Sequence, residues 1–226
     1  MAVSQAEIID FILRSFARAS GRSSPYPHWL VTDCLPQSTI REILELPFEA
    51  IALAGVSGKR ELHNSRRHYF NEENRRAFAC VSEVAAALQN RQVTSAIERT
   101  FGADLAGTFL RVELAQDVDG FWLEPHTDIG VKAFTFLIYL SQDAAHADLG
   151  TDIYDADKQW VGRSPFASGA GMIFVPSNIT YHGFEARKIP GIRKSLVVNF
   201  VTDEWRAREQ LAYPDEPVAT AGFVTD

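Results

Sequence analysis

Residues 122–139 read WLEPHTDIGVKAFTFLIY and set His126 and Asp128 one residue apart in an otherwise apolar, strand-like run. Residues i and i+2 of a β-strand share a face, so an imidazole and a carboxylate here project together. The pair by itself is weak evidence. With six histidines and 29 acidic residues in 226 positions, about one His-x-acid pair is expected by chance. The chain carries its own control in His146-Ala-Asp148, within SQDAAHADLG. That polar, Ala-rich stretch after a strong strand reads as a solvated loop. His126-Thr-Asp128 instead follows FWLEP and precedes VKAFTFLIYL, where a strand aims both groups into a core.

Outward from this stretch the sequence keeps a strand period. TFLRVEL alternates Leu110, Val112 and Leu114 against Arg111 and Glu113. Short alternating or β-branched runs punctuated by Gly, Pro, Asn and Asp continue to Val201. They predict strands at 108–115, 120–127, 133–140, 151–155, 159–162, 171–175, 180–185 and 193–201. That number of short strands fits a sandwich or jelly roll. Residues 1–107 are mostly helical in pattern. A capping box at Ser4 to Glu7 opens a helix that Gly21 ends, and Pro36 opens a second one up to Pro47. A short strand is expected at 28–31. Residues 73–89 place Ala77, Phe78, Val81, Val84, Ala85 and Leu88 on one helical face, and a further helix runs from about Thr94 to Gly102. The expectation is one domain over 1–226, mainly β with flanking helices. Residues 1–107 give helical support outside a jelly-roll core at 108–201, and 202–226 form a tail with a short helix at most.

The totals exclude several classes. A formal charge of −7 argues against a surface built for nucleic acid. Cys34 and Cys80 lack CxxC spacing and read as reduced, packed thiols. No run approaches the roughly 18 apolar residues of a membrane span, so a cytoplasmic protein with no membrane partner is expected.

A partner for the HxD pair stands in GAGMIFVPSNITYHGFEA, where His182 follows a buried strand and a turn, with 53 residues between it and Asp128. Two imidazoles and one carboxylate make a facial triad that leaves positions open on Fe(II). Zinc also accepts such ligands, although HExxH is absent. Eleven residues further, Arg193 in GIRKSLVVNF shares a strand face with Ser195 while Lys194 points away. A guanidinium inside a barrel suits the carboxylate of a small diacid, and Tyr139 can donate to the same carboxylate from a neighbouring strand.

HTD, the distal His182 and the Arg193-x-Ser195 that follows resemble the double-stranded β-helix, non-haem Fe(II)/2-oxoglutarate-dependent oxygenases, particularly the bacterial branch similar to prolyl hydroxylases. The likeness spans 108–201, with GTDIYDAD resembling the strand after the metal pair and Tyr139-Leu-Ser the end of the tyrosine-bearing strand. It implies a cupin-like jelly-roll core and His126, Asp128 and His182 as iron ligands and catalytic centre. It further implies Arg193 on the distal carboxylate of 2-oxoglutarate, with Ser195 and Tyr139 beside it. Fe(II), 2-oxoglutarate and O2 would then hydroxylate a substrate with release of succinate and CO2. Two departures stand out. The paired glycine often seen before the fourth core strand is Leu149-Gly150, and no tyrosine is evident on the strand before HxD. Candidate contacts to a small-molecule or peptide substrate are Arg111, Glu113, Trp122 and Lys132, with Arg66 and Arg67 from a basic stretch at 58–70. Arg111 and Glu113 line the barrel mouth or form an outer face. Two other readings stay open: a cupin-like metalloenzyme without an oxo acid, in which Arg193 binds substrate or forms an internal salt bridge, and a non-catalytic ligand-binding jelly roll.

Overall fold

Three long strands carry the architecture: β4 (Phe109–Val118), β6 (Lys132–Tyr139) and β11 (Ile192–Val201). The computed structural model describes residues 4–50, 58, 67–128 and 130–219. β11 lies antiparallel between the other two, with Leu196 opposite Leu114 and Ile138, Val198 opposite Val112 and Phe136, and Phe200 opposite Leu110 and Phe134. These nine side chains all belong to the main hydrophobic core. Their neighbours of the other parity, Arg111, Glu113, Thr135, Leu137, Tyr139, Arg193, Ser195 and Val197, line a cavity. One period of two therefore builds a core on one face and a site on the other.

The apolar face is covered by helices α1 (Gln5–Ala17), α4 (Ala79–Gln89) and α5 (Arg91–Phe101). α1 starts at Ser4, whose Oγ accepts from the Glu7 amide at 3.4 Å, and Phe16 packs edge-on against Phe136 at 5.7 Å between ring centroids. α5 ends on Gly102, which takes the left-handed conformation (φ 72°) that an L side chain resists. A shorter helix, α2 (Gln37–Leu44), buries Ile40 and Ile43 in the same core. The single helix expected over 73–89 is instead two. Phe78 is extended (φ −130°, ψ 118°) and separates α3 (Glu72–Ala77), which buries no residue, from α4. The change of direction lets the apolar face of α4 reach the sheet while the charged α3 stays outside.

Among the described residues the remaining strands are β1 (Ser20–Arg22), β2 (His28–Val31), β3 (His68–Tyr69), β5 (Leu123–His126), β7 (Asp152–Tyr154), β8 (Trp160–Arg163), β9 (Gly171–Phe174) and β10 (His182–Phe184). They complete a large sheet in the order β1-β2-β9-β6-β11-β4-β3 and a small one in the order β5-β10-β7-β8. All eight strands expected after residue 107 are present. The result is a mostly antiparallel double-stranded β-helix with helices on the outside of the large sheet, and a 3₁₀ turn at Arg208–Gln210 in the tail. No described helix is long and apolar enough to cross a membrane.

Within the small sheet, the chain entering β7 and the chain leaving β8 approach closely. A Cβ on Gly150 would lie 1.7 Å from the Ser164 carbonyl oxygen, so only glycine fits there. Gly150→Ala should therefore lower stability by about 1–3 kcal/mol or more, seen as a melting temperature several degrees lower. Gly162→Ala, where an added methyl meets nothing within 4 Å, should stay within about 0.5 kcal/mol of the parent.

Candidate metal centre and cavity

β5 and β10 pair antiparallel with His126 directly opposite His182, which brings the imidazole rings to 4.3 Å between centroids. Each ring is oriented by its own backbone. Nδ1 of His126 donates to the Glu124 carbonyl at 2.9 Å, and Nδ1 of His182 donates to the Thr180 carbonyl at 3.0 Å. A carbonyl only accepts, so the proton sits on Nδ1 and the Nε2 lone pairs face inward. The Thr180 carbonyl therefore positions His182.

Asp128, on the turn between β5 and β6, lies between the two rings. Its Oδ1 is 3.9 Å from Nε2 of His126 and its Oδ2 is 3.8 Å from Nε2 of His182. Ligand atoms of the three residues all fall within 4.8 Å of one another, a grouping able to hold a metal ion. Burial opposes ionisation of Asp128, but Lys132, His182 and His126 override it and hold the carboxyl well below the usual carboxylate range. Burial, reinforced by His126, pushes His182 down to about 3. At neutral pH the buried pair thus presents a carboxylate and an unprotonated imidazole nitrogen, the forms a metal requires. The donor set fits a divalent ion bound on one face.

The carboxylate is also fixed from outside. Lys132 donates to Oδ1 at 2.6 Å and Thr135 Oγ1 donates to Oδ2 at 3.0 Å. Thr135 in turn accepts from Asn199 Nδ2 at 3.0 Å, and Asn199 Oδ1 accepts from Arg111 at 3.1 Å. Arg111 donates onward to Glu113 and Gln210, and Arg67 reaches Glu113 at 3.2 Å. Arg111 and Glu113 are thus buried on the cavity side rather than on an outer face.

At the other end Arg193 faces Asp117 across β11 and β4 and donates to it at 2.5 Å, while its Nε donates to the Leu149 carbonyl at 2.7 Å. Its guanidinium lies 4.7 Å from the Phe184 ring centroid. Tyr139 is fully buried opposite Ser195, and its hydroxyl bonds Thr151 Oγ1 at 2.9 Å. Lys194 does point away, with Nζ on the Leu44 carbonyl. A cavity of about 320 Å³ joins the two ends, lined by the His-Asp-His cluster, Lys132, Arg67, Arg111, Tyr139, Thr151, Ser195 and Arg193 among others.

Some expectations change. Trp122 does not line the cavity; its indole covers Gly58, where an added Cβ would come within 2.4 Å of it. Arg66, like most of the basic stretch at 58–70, lies outside the described residues. His146 is buried in a short 3₁₀ turn, with Nε2 on the Pro190 carbonyl, and not solvated as its polar surroundings suggest. Thr135, Thr151, Asn199, Asp117 and Trp205 were not anticipated. The first four are polar residues on inward-facing or pocket-lining segments, and Thr135 and Asn199 carry a readable sign: each sits in phase with a named site residue on an otherwise apolar strand.

No family model and no curated protein sequence matches the chain. Solved structures do match its fold. A prolyl 4-hydroxylase from Phytophthora capsici superposes with TM-score 0.58 at 13% identity over 91% of this chain and 68% of the other. A Pseudomonas putida prolyl-4-hydroxylase gives TM-score 0.55 at 15% identity, over 87% and 93%. A Trichoplax adhaerens prolyl hydroxylase in complex with a hypoxia inducible factor peptide fragment gives 0.57 at 12%, over 88% and 91%. The fold is a double-stranded β-helix similar to that of these prolyl hydroxylases. At these identities the likeness concerns the fold, and the chemistry of this chain rests on its own residues.

If the cluster holds a metal, His126→Ala or Asp128→Ala should abolish Fe(II) or Zn(II) binding in a calorimetric titration. His146→Ala should leave metal affinity unchanged, and the reverse pattern would assign the ion to the wrong HxD pair.

Proposed function

We propose that this chain is an Fe(II)- and 2-oxoglutarate-dependent dioxygenase that hydroxylates a small-molecule or peptide substrate and releases succinate and CO2. The observation that carries the reading is a single cavity with a facial His126-Asp128-His182 cluster near one end and the Arg193 guanidinium at the other. Fe(II) bound with 2-oxoglutarate and O2 would supply the oxidising chemistry. The side chains position and exclude. His126 and His182 offer Nε2, Asp128 offers a carboxylate held ionised, and one face of the ion is left open.

Arg193 is assigned the distal carboxylate of the cosubstrate, which would join Asp117 on the five-donor fork. Tyr139, Ser195 and Thr151 supply hydroxyl groups beside it. Leu123, Leu137, Phe184 and Val197 line the cavity between and keep water from the reacting centre. Lys132 and Thr135 act as positioning residues through Asp128. The unpaired cysteines, Cys34 buried and Cys80 partly so, support placement in the reducing cytoplasm.

One observation favours a second reading. The Arg193–Asp117 ion pair is an internal salt bridge of the kind a cupin-like metalloenzyme without an oxo acid would have. The two readings diverge in a spectrum. Anaerobic Fe(II) plus 2-oxoglutarate should produce a weak visible charge-transfer band, and Arg193→Ala should weaken 2-oxoglutarate binding about tenfold or more, as loss of a charge-assisted pair requires. Absence of both the band and succinate release in the parent protein would overturn the dioxygenase in favour of the second reading.

A further inference from the structure

Lys132 breaks the period of its own strand. Along β6, Thr135, Leu137 and Tyr139 line the cavity, while Phe134, Phe136 and Ile138 pack in the core. Lys132 has the parity of Phe134, yet it too lines the cavity. The register supplies the reason. Phe200 of β11 pairs with Phe134, but the next residue, Val201, pairs with Lys132, so β6 carries one extra residue at Ala133. Such a bulge moves the side chain beyond it to the opposite face, and bulges beside functional sites commonly re-aim a side chain in this way. In an unbroken ladder the Lys132 stem would point toward the helices with Phe134.

The bulge aims an ammonium at a carboxylate. Lys132 Nζ lies 2.6 Å from Asp128 Oδ1, with the aspartate side chain 5% exposed and the lysine 21%. The same oxygen is 3.9 Å from His126 Nε2, and Oδ2 is 3.8 Å from His182 Nε2. A cation therefore already sits on the one acidic member of the His-Asp-His group. Thr135 holds the other oxygen, but with a neutral hydroxyl. A divalent ion bound by this group needs the negative charge that Lys132 neutralises, and two cations on one carboxylate repel. Lysine suits a temporary occupant, because its ammonium is a compact charge on a flexible four-carbon stem and lacks the rigid fork of a guanidinium.

We propose that Lys132 is a tethered stand-in for the metal: it holds Asp128 in the metal-free chain and is displaced when a divalent cation binds to His126, Asp128 and His182. Lys132 thus stabilises the empty site and weakens metal binding. The two effects have opposite signs, which separates a stand-in from a purely structural ion pair. Removing a structural pair loosens both the fold and the metal, whereas removing a stand-in loosens the metal-free fold and tightens the metal. The inference rests on the metal centre and not on the oxo acid, so it applies to the dioxygenase and cupin-like readings alike.

The test measures Zn(II) binding and metal-free stability of the full chain. Lys132→Met keeps an apolar stem and removes the charge. It should bind Zn(II) about ten- to a hundredfold more tightly than the parent, the worth of a charge-assisted hydrogen bond that the metal no longer has to break. With chelator present it should melt several degrees lower, because Asp128 is left buried without its cation. Saturating Zn(II) should then raise its melting temperature by more than the parent's. Thr135→Val, which removes a neutral donor from the same carboxylate, should show no gain in affinity. A second measurement uses the parent alone and stands even where a variant does not fold. Acylation by acetic anhydride, read by mass spectrometry, should modify Lys132 several-fold faster with Zn(II) bound than without. The proposal is overturned if Lys132→Met binds Zn(II) equally or more weakly, if Thr135→Val gains as much affinity, or if Zn(II) leaves Lys132 acylation unchanged or slows it. A parent that binds no Zn(II) overturns the metal centre and this inference with it. The Fe(II)/2-oxoglutarate band is recorded separately, so its absence beside intact Zn(II) binding overturns the dioxygenase reading alone.

Discussion

The register of β11 between β4 and β6 is the constraint on which the rest of the molecule depends. With Val198 opposite Val112 and Phe136, the central residues of one parity (Leu110, Val112, Leu114, Phe134, Phe136, Ile138, Leu196, Val198 and Phe200) pack in the helix-covered core, and those of the other, from Arg111 and Thr135 to Arg193 and Ser195, line the cavity. A slip of one residue would send Phe134, Phe136 and Phe200 into the cavity and turn Arg193, Thr135 and Arg111 toward an apolar core. Burying those charges unpaired costs several kcal/mol each. Folding energy and site assembly are therefore the same event: the apolar face that stabilises the sheet is also what aims the polar face inward.

The small sheet supplies what the large one lacks. β5 and β10 are short, and their value lies in one cross-strand pair, His126 opposite His182. Backbone carbonyls of Glu124 and Thr180 choose the tautomers, and the chain then turns so that Asp128 closes the group while β6 enters the large sheet. The carboxylate thus sits at the junction of the two sheets. Thr135 and Lys132 of β6 hold it from the large sheet while the two imidazoles face it from the small one.

Away from the cluster the interior is a chain of polar contacts rather than isolated groups. Thr135, Asn199, Arg111, Glu113 and Arg67 form one connected series, and Arg193 has its own carboxylate in Asp117. Such networks rigidify a site when satisfied and are costly when broken. The wall opposite the apolar residues Leu137, Val197 and Phe184 is accordingly fixed in position.

Much of this was legible in the sequence because the strands obey a period of two that survives any packing detail. Leu110, Val112 and Leu114 against Arg111 and Glu113, the HxD pair on an apolar run, and the distal histidine followed by an arginine in phase with a serine are all local patterns. They determined the fold class, the eight strands of the core and which residue types would face one another. Other features depended on partners far away in the chain. His146 looked solvated because its neighbours are polar, yet the Pro190 carbonyl, 44 residues on, gives it a buried acceptor. Phe78 looked helical because its side chain is in phase, but α4 had to change direction to meet the sheet. Asp117 and Thr151 have no local signature of their own. Period and residue type are properties of the chain. Which carboxylate neutralises Arg193, and which hydroxyl holds Asp128, are properties of strand register, and register exists only once the sheets have packed.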